Sequence, residues 1–375
     1  MEQADLRERA LTLEFWRDLL LVLTLSIVGL VYGAGFLVPL TFALLVVVLL
    51  LAVIDQVGRI RIAGRKVPRP VAHVVGMALV LLGFTLIGLI LSSQAEEVAA
   101  AVPRYTERFE TMVAGLVVLI GEENAQDIRE ALQNADLSSW VLGLLGSAGG
   151  MLKGLFLVLL YVPFLMVERM PLARKAAIAA PDRKTGEELR RVVRRISGGL
   201  QRYLGVKTFV SVLTGLASYA VMKPLGLDFA ETWAVLAFAL NFIPSIGSIL
   251  GVVFPALVAL VQFDTITPFL VIVLLCGGLQ FSIGNILEPA ITGRSLNLSP
   301  FLVILSLTFW TAIWGASGAL LSVPIMVGFL IVFTHIPRLR WLAVLMSRDG
   351  DLTALDGRAA GVEHTGECGG TERDR

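Results

Sequence analysis

The chain has 375 residues, 56% hydrophobic and only 16% charged, with a net charge of +1 and mean hydropathy +0.80. A soluble globular protein carries about 25% charged residues, so this composition excludes one and points to an all-α polytopic membrane protein. The two cysteines, Cys276 in an apolar run and Cys368 in a polar tail, exclude a disulfide framework and any cysteine-based metal site.

Taken in chain order, apolar runs fall at about 19–34, 36–54, 71–93, 146–167, 204–222, 229–261, 265–287 and 299–336. Several exceed the ~20 residues that cross a bilayer, so about eight transmembrane helices are expected. The first run lacks a cleavage site after it and reads as a retained span. Gly33, Gly35 and Pro39 mark a tight turn to the second, which predicts a helical hairpin. The loop 55–70 carries Arg59, Arg61, Arg65, Lys66 and Arg69 against Asp55 alone, and 168–203 carries ten Lys or Arg against four acids. Between them, 94–140 has nine acids against three bases. Lys and Arg stay cytoplasmic, so 94–140 is assigned outside and both termini inside. Within 94–140, Tyr105, Phe109, Met112, Leu116, Leu119 and Ile120 recur at helical spacing, which predicts one or two amphipathic helices on the membrane surface or on a neighbouring subunit. Gly146, Gly150 and Gly154 form a small-residue face suited to oligomer or helix packing, and Lys153 beside them is expected to snorkel. Segment 182–203, with Arg190, Arg191, Arg194 and Arg195, reads as a basic amphipathic helix at the inner surface.

Runs 229–261 and 299–336 are too long for simple spans, since 33 helical residues would measure about 50 Å against a ~30 Å hydrocarbon layer. The first contains Asn241, Pro244, Gly247, Gly251 and Pro255, and the second Gly315, Gly318 and Pro324. Each predicts two helical pieces around a break, crossing or re-entering. A plain span precedes each broken run, so two repeats are expected, with the solute site where the breaks meet. Freed backbone groups and the side chains of Asn241, Ser245 and Ser248 would bond a polar solute there, or satisfy one another. Gln280, Gly284 and Glu288, at i, i+4 and i+8, put a polar stripe on the span before the second break, with Asn285 beside it. Glu288 precedes Pro289, which predicts a helix end, and a salt bridge from Glu288 to Arg294 across the turn. The expected solute or ion path is therefore Asn241, Pro244, Ser245, Gly247, Ser248, Gln280, Asn285, Glu288 and Arg294.

The divisions that follow are 1–93, an N-terminal hairpin and third span; 94–140, the outer segment; 141–203, a fourth span and basic helix; 204–346, a transport core; and 347–375, a disordered tail. No hydrolase motif, phosphate-binding loop, metal-ligand spacing or cofactor motif occurs, and no enzyme activity, cofactor or nucleic-acid partner is expected.

The stretches Asn241-Phe-Ile-Pro-Ser-Ile-Gly-Ser-Ile-Leu-Gly251, Gly284-Asn-Ile-Leu-Glu-Pro289 and Gly293-Arg-Ser-Leu-Asn-Leu-Ser-Pro300 carry a resemblance that continues through Phe309-Trp310, Trp314-Gly315, Gly318 and Leu321-Ser-Val-Pro324. Together they resemble the autoinducer-2 exporter family of bacterial permease-like proteins, with weaker similarity over roughly 15–345. A departure is Gly205-Val206-Lys207 after Tyr203-Leu204, where the family often has Arg-Gly-Gln. The resemblance implies eight transmembrane helices in the bacterial inner membrane, a homo-oligomer with pentamers expected, and efflux of a small polar solute. Some members are associated with autoinducer-2 and others with sodium–proton exchange. An alternative of another class is a non-transporting membrane scaffold built on 94–140 and the glycine face.

Overall fold

The computed structural model describes residues 2–62, 64–120, 154–168, 182–244, 246–292 and 298–350, together with Lys175, Ile178, Ala179 and Leu352. Expectations for 121–153 and the tail from 353 lie outside these residues. The protein is an all-α polytopic membrane protein. Among the described residues the one strand pair, Arg61–Ile62 with Arg65–Lys66, is a two-residue ribbon turned by Gly64 at φ +80°.

Helix α1, Glu2–Tyr32, passes to α2, Ala34–Arg59, through Gly33 alone, at φ −80° and ψ −2°. A Cβ at Gly33 would stand 2.6 Å from the Gly29 carbonyl oxygen, so the joint admits only glycine without adjustment. Helix α3, Arg69–Ile120, has 52 residues and measures about 78 Å. Only Arg69–Gln94 is apolar enough to cross. The amphipathic stretch after 94 is thus a continuation of the third span through Ile120, not a separate surface helix.

After α4, Gly154–Glu168, comes α5, Arg183–Met222, which joins the basic stretch and the next span into one 40-residue helix. Asp182 caps it from an extended backbone, its carboxylate accepting from Thr185 N at 2.7 Å. Then come α6, Ala230–Leu240; α7, Ile246–Gln262; α8, Thr267–Ser282, continuing through a wide turn at Ile283–Leu287 and a last turn at Glu288–Thr292; α9, Pro300–His335; and α10, Arg340–Met346.

The two long runs break where expected, and both fold back. The first interrupts at 241–244. A Cβ on Gly251 would lie 3.7 Å from Ala237 Cα, although 14 residues of straight helix would part them by about 21 Å. In the second, Gly315 leaves helical geometry at φ 60°, ψ −141°. Ser306 Oγ donates to Ser322 O at 3.1 Å, where a straight helix would hold them about 24 Å apart. The stretch 300–334 is long and apolar enough to cross, yet it is a hairpin. Both runs are therefore helical hairpins whose two ends return to the same end of the bundle.

Three apolar clusters assemble these pieces. Ala43, Leu50, Ile54, Ala72 and Val158 tie α2, α3 and α4; Val48, Leu200, Leu204, Val327 and Ile331 tie α2, α5 and α9; Met222, Ala230, Ala259, Ile272 and Cys276 tie α5 to α8. Leu82, Leu216, Leu274 and Phe281 point outward, each more than half exposed, as lipid-facing side chains do.

Candidate functional site

The second half is built twice. Span α5 leads into hairpin α6–α7, and span α8 leads into hairpin α9. Gln262, at the end of the first hairpin, returns to its start: Asp228 N donates to Gln262 Oε1 at 2.8 Å. From there α8 runs the ~32 Å depth of the bundle to Glu288, and α9 starts at that far end. The hairpins enter from opposite ends, and their tips meet. Leu240 and Ile243 of the first pack on Leu307, Ala319 and Leu320 of the second. Each tip turns on a glycine pressed against a carbonyl of the preceding helix. A Cβ would come 1.8 Å from Leu240 O at Gly247 and 1.9 Å from Trp310 O at Gly318. The second tip is held from outside the repeats, where Trp314 Nε1 donates at 2.9 Å to the Leu30 carbonyl in the last turn of α1.

Asn241 ends α6 at the first tip, buried, and its Nδ2 donates to Ser211 Oγ of α5 at 2.9 Å. Pro244 sits in the turn, its carbonyl accepting from Ile246 N at 2.6 Å. Ser248, in the first turn of α7, is half-buried, and Ser245 lies outside the described residues. Gln280 of α8 is 6% exposed and reaches into the first hairpin, where a Cβ on Gly251 would stand 3.0 Å from its Nε2. That Nε2 is buried and, among the described residues, finds no hydrogen-bond partner. A donor in that state normally costs about 1–3 kcal/mol, which marks the spot as one where an acceptor is wanted.

Asn285 is exposed and folds onto its own helix, Nδ2 donating to Phe281 O at 3.0 Å, so it turns away from this group. Glu288 does not end its helix. The chain widens instead, with Glu288 N bonding back five residues to Ile283 O. In a regular turn the Pro289 ring would collide with the Asn285 carbonyl, and widening relieves it. The extra residue also rotates the stripe. Eight residues of α-helix would offset Gln280 and Glu288 by about 80°, but one inserted residue brings them within about 20°. Glu288 Oε1 pairs with Lys207 Nζ at 2.7 Å, the side chains 27% and 10% exposed. Arg294, the partner expected from the sequence, lies outside the described residues.

Lys207 is the residue that sequence reasoning treated only as a departure from a pattern. It begins a buried polar face on α5: Lys207 8%, Ser211 0%, Thr214 1% and Ser218 2% exposed. Their spacing of 4, 3 and 4 keeps them within about 60° of arc, and that i, i+4, i+7, i+11 period was the available signal. Thr214 spends its hydroxyl on Val210 O at 2.9 Å. The α5 face and the α8 stripe are joined at Lys207–Glu288, with Asn241 of the first tip bonded to the α5 face. Gly146 and Gly150 lie outside the described residues, and a Cβ on Gly154 would meet nothing within 4 Å.

The opposite end is closed by α3. Gln94 Nε2 donates to Glu231 Oε2 at 2.9 Å, and its Oε1 accepts from the Thr232 hydroxyl. Lys223 Nζ and Tyr219 OH donate to Glu231 Oε1 at 2.6 and 3.1 Å. Further along α3, Arg104 and Tyr105 hold Asp228 Oδ2 at 2.6 and 2.8 Å. Burial and that carboxylate push the Tyr105 phenol up to about 12.

Inverted repeats, paired broken segments and a buried polar line between them are the architecture of a transporter. The sequence agrees: it matches the AI-2E family transporter model over residues 20–338. The chain belongs to the AI-2E transporter family. Among its relatives, the AI-2 transport protein TqsA of Escherichia coli K12 is 30% identical over 334 residues, 87% of this chain and 93% of TqsA. A protein of Haemophilus influenzae, whose name proposes transport without a cargo, is 28% identical over 85% of this chain and 92% of its own. A similarly named protein of Borreliella burgdorferi is 40% identical over a shorter 152-residue stretch, 40% of this chain and 42% of its own. As an AI-2E family transporter, the chain is a multi-pass membrane transport protein, and these relatives point to transport and not to enzyme chemistry.

Proposed function

We propose that this AI-2E transporter exports a small polar solute of the autoinducer-2 kind across the bacterial inner membrane, as a secondary transporter with both termini cytoplasmic. One observation carries the reading: the buried polar faces of α5 and α8 flank the first hairpin, Ser211 bonded to Asn241 at its tip and Gln280 against Gly251, and the second tip packs on that same tip. Asn241, Gly247, Ser211 and Gln280 supply the centre. The Gln280 Nε2, without a partner among the described residues, offers a donor to a hydroxyl, carbonyl or ether oxygen. Glu288 and Lys207 stand toward the cytoplasmic end in this orientation, and the Glu231 cluster toward the outer end. The relative named for AI-2 transport supports the solute class. A homo-oligomer, pentameric by the family resemblance, is part of the same proposal.

The test is accumulation of autoinducer-2 in cells lacking the gene, complemented with wild type or with Gln280→Leu. Wild type should lower the internal level several-fold, and Gln280→Leu should remove most of that effect at equal membrane abundance. Equal internal levels with and without the wild-type protein would reject the solute.

A further inference from the structure

The second hairpin is closed at its open end by α10. The inward side of this helix, Ala343 at 0% and Met346 at 8% exposed, packs with Leu298 and Leu302 of the entering arm and with Met326 and Leu330 of the returning arm. Ser299 N donates to Met346 O at 2.9 Å, and Leu298 pairs with Ser347. The helix therefore braces both arms of α9. Its outward side is apolar as well. Trp341, Val344 and Leu345 are 60, 42 and 63% exposed and lie within about 100° of arc. Arg338 and Arg348, both exposed, bracket this face. We propose that the outward face of α10 docks on the membrane surface. Trp341 and Leu345 enter the boundary between headgroups and acyl chains, and Arg338 and Arg348, with Arg191 and Arg194 of α5, hold the headgroups of anionic lipid.

Depth is the first argument. Met326 and Leu330 precede the end of α9 at His335 by nine and five residues, about 14 and 8 Å of helix, and α10 packs in one cluster with them. Its outward face thus stands beside the last turns of a hairpin apolar enough to sit in the bilayer, not clear of it. Charge is the second. Over 336–350 three arginines stand against Asp349 alone, and over 190–195 four stand against no acid. Arg191 and Arg194 are exposed, and Ile196 just beyond them packs in the same cluster as Leu298, the residue paired with Ser347. The two basic groups therefore converge on the open end of the second hairpin. The combination is the third. An acidic protein surface would match the arginines but leave Trp341 and Leu345 unsatisfied. A neutral bilayer would take the apolar face but leave the arginines unmatched. A bilayer carrying anionic lipid fits both, with a tryptophan at the depth where its amphipathic ring is favoured. Because α10 joins both arms, lipid charge acts on the hairpin whose tip meets the first one. The surface does not depend on the solute; only the identity of its leaflet as the cytoplasmic one follows from the orientation proposed above.

Full-length protein in nanodiscs of phosphatidylcholine, with and without phosphatidylglycerol, tests the docking. Lipids brominated in the upper acyl chain serve as quenchers, and Trp341 emission is taken as wild type minus Trp341→Phe. That emission should be strongly quenched. Amide exchange over 298–302 and 340–347 should slow several-fold when phosphatidylglycerol is present, and high salt should reverse the slowing. Replacing Arg191, Arg194, Arg338 and Arg348 together by Gln should keep the quenching and abolish the response to phosphatidylglycerol. Glycerol phosphate in solution should change nothing. A Trp341 shielded from the brominated lipid overturns the proposal, since another protein surface, a second copy included, would then cover the face. Equal exchange in the two lipids overturns it, as does a phosphatidylglycerol response undiminished in the arginine variant. A slowing by glycerol phosphate equal to that by the lipid overturns the membrane as partner. The wild-type quenching and exchange decide the matter even where the arginine variant fails to fold. None of these readouts involves transport, so unchanged autoinducer-2 accumulation would reject the solute and leave this surface standing.

Discussion

At the scale of residues, glycines carry the break in each hairpin, but only some of them. Gly247 and Gly318 face carbonyl oxygens where a Cβ would come within 2 Å, and those oxygens belong to backbone that cannot swing aside. Gly315 sits at φ 60°, ψ −141°, near a region that only glycine occupies freely, so a side chain there costs on the order of 1–3 kcal/mol. Gly284, equally prominent in the sequence, meets nothing within 4 Å. Gly247→Ala should therefore leave little folded protein, and Gly315→Ala should lower thermal stability measurably. Gly284→Ala should be neutral to within about 0.5 kcal/mol, since it adds helix propensity in open space. Thermal melts of the three purified variants check the order, and a Gly247→Ala as stable as Gly284→Ala would contradict the tip geometry. The same scale shows what was legible of the site. Asn241, Gln280 and Glu288 stood out because a polar group in an apolar run is conspicuous. Lys207, Ser211 and Thr214 did not, because a lysine next to an arginine-rich stretch reads as interfacial and isolated hydroxyls are common in spans. Only their shared helical face, and the wide turn that brings Glu288 into phase, made them one group.

At the scale of elements, breaks were legible but their angle was not. Proline and glycine say where a helix loses hydrogen bonds; they do not say which way the chain leaves. That is decided by partners distant in sequence, Ser306 with Ser322 and Ile243 with Leu307. The long extension of α3 shows the same limit. Its helical period was plain, yet its role as a clasp on the first hairpin depends on Gln94, Arg104 and Tyr105 finding Thr232, Glu231 and Asp228. Asp228→Ala should loosen the far part of this clasp, removing from α3 one exposed ion pair and a phenol bond worth together about 1–1.5 kcal/mol while Gln94 stays bonded to Glu231 and Thr232. Amide exchange over 95–108 should quicken about five- to tenfold, while 246–252 at the tip stays as protected as before. The phenol gives a pH signature as well. Its folded affinity for the proton is raised to about 12, so its contribution is complete below the ordinary tyrosine range near 10 and fades as pH climbs through about 12. Tyr105→Phe should abolish that alkaline loss of protection.

For the whole molecule, re-entrance changes which loops share a side of the membrane. Had run 229–261 crossed, Lys223 and Asp264 would face opposite compartments; as a hairpin it puts both on one. The second hairpin does the same for Ala290 and Arg338, at the other end. Two crossings are removed together, so the side expected for the C-terminus from the loop charges is the same either way, which is why the charge pattern alone could not distinguish the two topologies. Single cysteines resolve it. In a background with Cys276→Ala and Cys368→Ser, Lys223→Cys and Asp264→Cys should both react with a membrane-impermeant maleimide in intact cells. Ala290→Cys and Arg338→Cys should react only after permeabilisation. Labelling that separates Lys223 from Asp264 would mean that the first run crosses, and the inverted pair of hairpins, with the polar line between their tips, would fall with it.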